Sequence, residues 1–205
     1  MKIAIVGVGN VGAALGARFS EAGHEVLFGV RATTDAYAAR FGARVRPVSQ
    51  AARDAEVVVL AVPGSVAVEA AGALGLREGQ VLVDCTNPIR WSEGPVWAPP
   101  PEGSNASALA AAFPNVDVVK AFNQFGAETH ADPAYGDRRA DVFLASDSDE
   151  AKAKVSVLAT SAGFEAVDAG KLRNAAVLEN VAVLWIHLAT VGGLGRAFVL
   201  ARLSR

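Results

Sequence analysis

Met1-Lys2-Ile3-Ala4-Ile5-Val6-Gly7-Val8-Gly9-Asn10-Val11-Gly12 opens the chain, and its reading decides the fold. Ile3 to Val6 predicts a buried strand. The run from Ala13 to Ala22 predicts a helix. Between them stands Gly-x-Gly-x-x-Gly, the turn that lets a βαβ unit hold a dinucleotide. Gly7 permits the tight turn, Gly9 admits a pyrophosphate to the backbone, and Gly12 lets helix and strand approach. The N–H groups that start the helix point at that anion with a partial positive charge.

Outward from this stretch, runs of each kind alternate. Strands are expected at Glu25–Gly29, Arg44–Val48, Glu56–Val62, Gln80–Asp84, Asp117–Phe122, Ala140–Ala145 and Phe164–Val167. Pro47, which has no N–H to donate, places the third strand at an edge. Helices are expected at Asp35–Phe41, Val66–Leu74, Ser104–Ala112 and Glu150–Ser161. A final apolar stretch, Leu172–Leu203, is expected to be split in two by Gly192, Gly193 and Gly195. Alternation of this kind implies an α/β fold of the Rossmann type. We expect a doubly wound, mainly parallel sheet of about eight strands with a small C-terminal helical cap. Residues 1–145 would form the dinucleotide-binding domain and 146–205 the cap packed on it. Ile89–Asn105 carries Trp91, Trp97 and four prolines and reads as a long loop, either a lid whose aromatics stack on a planar ligand or a segment anchored to the surface.

Whole-chain properties bound the function. At 205 residues with 52% hydrophobic content, one sizeable core is expected. A net charge of −2 gives no general attraction to nucleic acid or to an anionic membrane. The single cysteine, Cys85, excludes an internal disulfide and suits a reducing cytoplasm. Lys2 and the apolar residues after it look superficially like a signal peptide, but the glycine motif inside them argues otherwise. The apolar run Val181–Val191 is too short to span a bilayer.

The end of the second strand distinguishes the nucleotides. An NAD site usually has Asp or Glu there, bonded to the ribose hydroxyls. This chain has Gly29-Val30-Arg31-Ala32-Thr33-Thr34. With no carboxylate to repel a 2′-phosphate, and with the guanidinium of Arg31 available to pair with it, NADP(H) is favoured. The other reading makes Arg31 a solvated residue past a strand. Thr33 or Thr34 supplies a hydroxyl or caps the next helix.

Reduction of a carbonyl or imine needs a proton donor beside the hydride acceptor. Tyr37 and Tyr135 are followed four residues on by Phe41 and Arg139, so the Tyr-x-x-x-Lys dyad of short-chain dehydrogenases is absent. His24 is expected at the surface and His187 in the core of the last helix, which leaves His130 as the one histidine near a cleft. No catalytic residue and no metal-ligating cluster is assigned. A flavin-like acceptor manages its own protonation, and the protein has only to align two planar rings.

Several segments together resemble a known family. Gly-Val-Gly-Asn-Val-Gly (7–12), Val-Lys-Ala-Phe-Asn (119–123), Asp-Ala-Gly-Lys-Leu-Arg-Asn-Ala (168–175), Leu-Trp-Ile-His-Leu (184–188) and Gly-Leu-Gly-Arg (193–196) are similar to the NADPH-dependent reductases of the deazaflavin coenzyme F-420. The reductase domain of six-transmembrane ferric reductases resembles them too. The resemblance implies hydride transfer between NADPH and F-420 or a flavin. It places Gly7, Val8, Gly9, Asn10, Val11 and Gly12 at the pyrophosphate and Arg31 with Thr33 at the 2′-phosphate. Ala61, Val62, Pro63, Asn87, Ala121 and Asn123 would lie around the nicotinamide and the deazaflavin. Two departures stand out: Val30 replaces a frequent Ser or Thr, and the Trp91–Pro101 loop is long. The other functions open at this point are NADPH reduction of a small carbonyl or imine compound and a non-enzymatic NADP(H) sensor. The partner is a small-molecule substrate, and the apolar last helix makes a homodimer possible.

Overall fold

The structure, a computed structural model, describes residues 1–203; Ser204 and Arg205, the end of the expected 146–205 segment, lie outside the described residues. In chain order the elements begin β1 Lys2–Val6, α1 Asn10–Glu21, β2 Glu25–Val30, α2 Asp35–Phe41, β3 Val45–Pro47, α3 Val48–Arg53, β4 Val57–Leu60, α4 Ala67–Gly72 and β5 Val81–Asp84. Then come β6 Ile89–Ser92, β7 Gly94–Trp97, α5 Asn105–Ala112, β8 Asp117–Lys120, α6 Ala127–Ala131, β9 Ala134–Tyr135, β10 Arg138–Arg139 and β11 Asp141–Leu144. The chain closes with α7 Asp149–Ser161, β12 Glu165–Asp168 and α8 Ala175–Thr190.

One parallel sheet, in the order β3-β2-β1-β4-β5-β8, organises the molecule. Alternation along its strands feeds two cores. Ile3, Ile5, Val57, Val59, Val81 and Val83 turn to one face and meet Leu15 and Phe19 of α1. Ala4, Val6, Val58, Leu60 and Leu82 turn to the other and meet α3, α4 and α5. Successive side chains of a strand point to opposite faces, so a sheet covered on both sides needs an unbroken apolar run. That is why β4 is Val-Val-Val-Leu. The Rossmann-type reading holds, with Pro47 in the edge strand β3.

The expected strand count is corrected from about eight to six. β11 and β12 form their own parallel pair. A single antiparallel bridge, Lys120 to Ala145 with N–H···O distances of 2.9 and 3.1 Å, ties that pair to β8. The ladder cannot extend in either direction. Phe122 leaves the extended region at φ 58°, and Ser146 Oγ donates to the Val118 carbonyl at 2.7 Å in place of a backbone partner.

Two further expectations change. Ile89–Asn105 is not a structureless loop: β6 and β7 form an antiparallel hairpin that packs against α8. The last apolar stretch makes one helix, α8, rather than two. Gly193 and Gly195 both adopt φ 72°, in the left-handed region that stops a helix, and the residues beyond run back over the surface. There Trp185 Nε1 donates to the Phe198 carbonyl at 2.9 Å. No helix of the described residues is long and apolar enough to cross a membrane.

Candidate functional site

In an open parallel sheet the ligand end is the one where the strand C-termini emerge. Here that end is built around β1, β4, β5 and β8. β1 breaks at Gly7, whose φ of 94° suits glycine alone. A side chain at Gly7 would meet the Ala61 carbonyl oxygen at 2.4 Å, and one at Gly12 would meet the Gly7 carbonyl oxygen at 1.9 Å. A side chain at Gly9 would meet nothing within 4 Å and would project into open space. Gly9 is the N-cap of α1 and supplies no side-chain hydrogen bond, and no acidic residue lies in the first turn of the helix. The first N–H groups of α1 are therefore left without a side-chain acceptor, at an exposed mouth formed by Gly9 and Asn10. These features fit an anion: the cradle is open where a Cβ would fill it and donates where charge must be met.

Contacts around this mouth join most of the residues selected from the sequence. Gly7 abuts Ala61 and Val62. Gly64, next to Pro63, lies against the Asn87 carbonyl, 2.0 Å from where its own Cβ would be. Asn87 Nδ2 donates to the Asn123 carbonyl at 2.9 Å. In return Asn123 Nδ2 donates to Asn87 Oδ1 and to the Leu178 carbonyl, both at 2.9 Å. Asn123 is 4% exposed, and its Oδ1 has no partner. Ala121 is wholly buried, as are its neighbours Lys120 and Phe122, so of the residues chosen here from the end of β8 none presents a side chain to solvent. Arg31 and Thr33 are exposed just past β2, whose Gly29 pairs in register with Val6 of β1. None of the ion pairs among the described residues uses Arg31. Thr34 rather than Thr33 caps α2, accepting from the Tyr37 N–H at 3.4 Å.

The turn into Asn123 is strained. Phe122 is the one non-glycine among the described residues with positive φ. A bulky residue there costs roughly 1–3 kcal/mol. Its ring, 1% exposed, is held edge-on by Phe19 and Phe164 at centroid distances of 5.9 and 5.6 Å. Its carbonyl faces His130 Nε2 at 2.9 Å. Packing thus fixes a backbone conformation that the residue alone would avoid, and the result aims Asn123 at Asn87.

Beneath the asparagine pair lies a charge cluster that reading the chain did not assemble. Lys120 Nζ donates to Asp84 Oδ2 at 2.8 Å, to Glu179 Oε1 at 3.1 Å and to the Thr86 carbonyl, and all three charged side chains have zero exposure. Glu179 also accepts from the Asn105 N–H at 2.9 Å and from Trp97 Nε1 at 3.0 Å. Asn105 Nδ2 donates to Thr86 Oγ1 at 2.7 Å and to the Gly64 carbonyl at 3.0 Å. The network ties β5, β8, the hairpin, α5 and α8 together at the strand ends. A signal for it existed: Glu179 is the only acidic residue in α8, in an otherwise apolar helix. Trp97 is therefore an anchor of the hairpin, whereas Trp91 is 61% exposed. An open cleft of about 480 Å³ lies beside it, walled by Gly64, Val68, Pro88, Ile89 and Pro99. A larger groove of about 570 Å³ runs between α1, α2 and α6, is lined also by Phe28 of β2, and reaches the glycine turn only at Asn10.

The histidines fall differently from expectation. His187 is exposed rather than in the core. His24 is half-buried between the N-terminal amine at 3.2 Å and Ser161 Oγ at 2.9 Å. His130 is fully buried and faces no cleft. Both of its ring nitrogens lie 2.9 Å from carbonyl oxygens, those of Gly126 and Phe122, and a neutral ring donates to only one of them. Burial holds its pKa down to about 4, against the upward pull of those two carbonyls. Burial also pushes the Cys85 thiol up, with Asp84 adding to the effect, so no thiolate forms beside the site.

Three comparisons bear on these observations. A family model described as "NADP oxidoreductase coenzyme F420-dependent" matches residues 2–88. An F420-dependent NADP reductase of Methanothermobacter marburgensis is 32% identical over 211 residues, covering 92% of each chain. The metalloreductase STEAP3 of Rattus norvegicus is 32% identical over 183 residues, covering 88% of this chain but 36% of that longer protein. Among solved structures, a protein of Arthrobacter sp. FB24 assigned as an F420-dependent NADP reductase superposes with a TM-score of 0.85 at 30% identity, covering 98% of this chain and all of that one.

His130 carries a pH dependence of known sign. Its folded-state pKa lies below the ordinary 6.5, so between pH 6.5 and about 4 the unfolded chain binds a proton that the folded chain refuses. Stability contributed by the neutral ring is complete above pH 6.5 and is lost as pH falls, by roughly 3 kcal/mol once pH is below both values. Denaturant unfolding at pH 7 and pH 4.5 should show this loss in the wild type and a smaller one in His130→Asn. Equal losses in the two proteins would contradict the assignment.

Proposed function

The chain belongs to the F420-dependent NADP reductase family and is an NADP-dependent oxidoreductase, and on that premise we propose that it passes hydride between NADPH and the deazaflavin coenzyme F-420. The observation that carries this reading is the open N-terminus of α1. Its N–H groups lack side-chain acceptors, and they stand over a glycine turn joined by contacts to the Asn87–Asn123 pair.

The roles follow from where the residues stand. Gly7 to Gly12 hold the pyrophosphate through backbone N–H groups and the end of the helix dipole. Arg31, exposed and free of ion pairs among the described residues, meets the 2′-phosphate with Thr33. No carboxylate at the end of β2 repels it. Ala61, Val62 and Pro63 form a wall at the end of β4. Asn87, with the backbone around Ala121 and Asn123, faces the nicotinamide. The nicotinamide, when bound, supplies the hydride, and the deazaflavin receives it without a proton from the protein. The chain's share of catalysis is to bind, to align and to exclude water, which is where most of the advantage of an oriented pair of reactants arises. The Phe122 turn and the buried network beneath it make that alignment rigid.

NADPH oxidation by the purified protein against F-420, FMN, FAD, ferric chelates and small carbonyl compounds tests the acceptor. Turnover with F-420 is expected. Turnover with none of the flavin-like acceptors would overturn the proposal, and turnover with a carbonyl compound alone would replace it. A second measurement concerns the nucleotide. Arg31→Glu removes a charge-assisted contact worth about 1.5–3 kcal/mol, so the preference for NADPH over NADH should fall roughly 10- to 100-fold. An unchanged preference would place the 2′-phosphate elsewhere.

A further inference from the structure

The cluster of Asp84, Lys120 and Glu179 carries more charge than its burial explains. Glu179 accepts from Lys120, from the Asn105 N–H and from Trp97 Nε1. Asp84 accepts from the Thr86 N–H at 2.8 Å and from Lys120 at 2.8 Å. Every one of these partners is a donor, so neither carboxylate has an acceptor for a proton of its own. Both are ionised. Two carboxylates against one ammonium leave a net charge of −1 with zero exposure to solvent. The N-terminus of α5, whose Asn105 N–H donates to Glu179, offsets part of this by roughly half a charge. The remainder is negative.

Its position is specific. Asp84 and Lys120 end β5 and β8 and pair in register. Asn87 lies three residues beyond the first, and Asn123 lies three beyond the second. Asn123 also donates to the carbonyl of Leu178, the residue before Glu179. The charge therefore sits one layer under the Asn87–Asn123 pair. A structural tie alone would be served as well by an apolar cluster, since a buried ion pair is seldom more stabilising than well-packed hydrocarbon.

We infer that the Asp84–Lys120–Glu179 cluster biases the site toward the oxidised nucleotide, holding NADP⁺ more tightly relative to NADPH than a neutral cluster would. This rests on the reading that places the nicotinamide over Asn87 and Asn123. When the ring gives up hydride, C4 loses a hydrogen with its bonding pair, the acceptor gains both, and the ring passes from neutral to a charge of +1. A negative charge below stabilises that product and draws hydride out of NADPH. At an effective dielectric of ~20, a unit charge ~10 Å away shifts such an equilibrium by about tenfold. Glu179 and Lys120 are positioning residues in this scheme, since neither is required to touch the nucleotide.

The test compares dissociation constants for NADP⁺ and NADPH, read by tryptophan fluorescence or calorimetry, so it needs no turnover and no acceptor. Glu179→Gln should weaken NADP⁺ relative to NADPH by roughly five- to tenfold, the effect of removing one charge at that range. Asp84→Asn should move the ratio in the same direction, and Glu179→Asp, which keeps the charge, should leave it near the wild-type value. A ratio in Glu179→Gln within twofold of wild type, with both affinities falling together, would reduce the cluster to a structural role and overturn the inference. Should Glu179→Gln fail to fold, Asp84→Asn decides alone: a ratio moved at least about fivefold against NADP⁺ upholds the inference, and one within twofold of wild type overturns it. Failure of the wild type to bind either nucleotide would instead defeat the proposed function.

Discussion

A methyl group on Gly12 would sit 1.9 Å from the Gly7 carbonyl oxygen, and one on Gly7 would sit 2.4 Å from the Ala61 carbonyl oxygen. The ligand end of the molecule depends on those two absences. They let α1 drop onto the end of β1 and let the β4 loop close against both, so that an unprotected helix N-terminus arrives beside the strand ends. Any larger residue would push the helix outward and carry its free N–H groups with it. The same tightness explains the apolar run of β1, because a helix packed this close leaves no water to satisfy a polar side chain below it.

The other half of the site is held from a distance along the chain. Glu179 comes from the last helix, yet it accepts from the hairpin, from the start of α5 and from Lys120 of β8. Burying such charges is costly, and removing one partner leaves the others uncompensated at about 3–5 kcal/mol. The network thus couples the C-terminal segment to the asparagine pair far more strictly than apolar contact would. The His130 and Phe122 contacts act the same way from the other side of β8, fixing a strained turn that would otherwise relax. Rigid support beneath few exposed groups suits chemistry that is mostly alignment.

Much of this is written in the sequence, and the remainder is hidden for physical reasons. Glycine spacing and the alternation of apolar runs identify the sheet, its first turn and the edge role of Pro47, because these depend on local backbone geometry. The β6–β7 hairpin is not visible in the sequence because Pro95, the prolines that follow it and the exposed Trp91 read as loop, while Trp97 is tied to a glutamate 82 residues away. The count of strands was overstated because a single bridge at Lys120–Ala145 replaces a full ladder, a distinction no propensity carries. His130 and His187 exchanged places, since a polar residue in an apolar stretch faces inward or outward according to its angular position on the helix. The Asp84–Lys120–Glu179 cluster required knowing that β5 and β8 are neighbours, and strand order is not written in any single segment.

The proposed function has hydride passing directly between two aligned rings without an acid from the protein. The sharpest measurement presents the protein with F-420 and NADPH carrying deuterium at both C4 positions. The expected result is one face of the nicotinamide giving up its deuterium, recovered in the reduced deazaflavin, with none in solvent. Deuterium released to water, or reduction of the deazaflavin without it, would contradict the account.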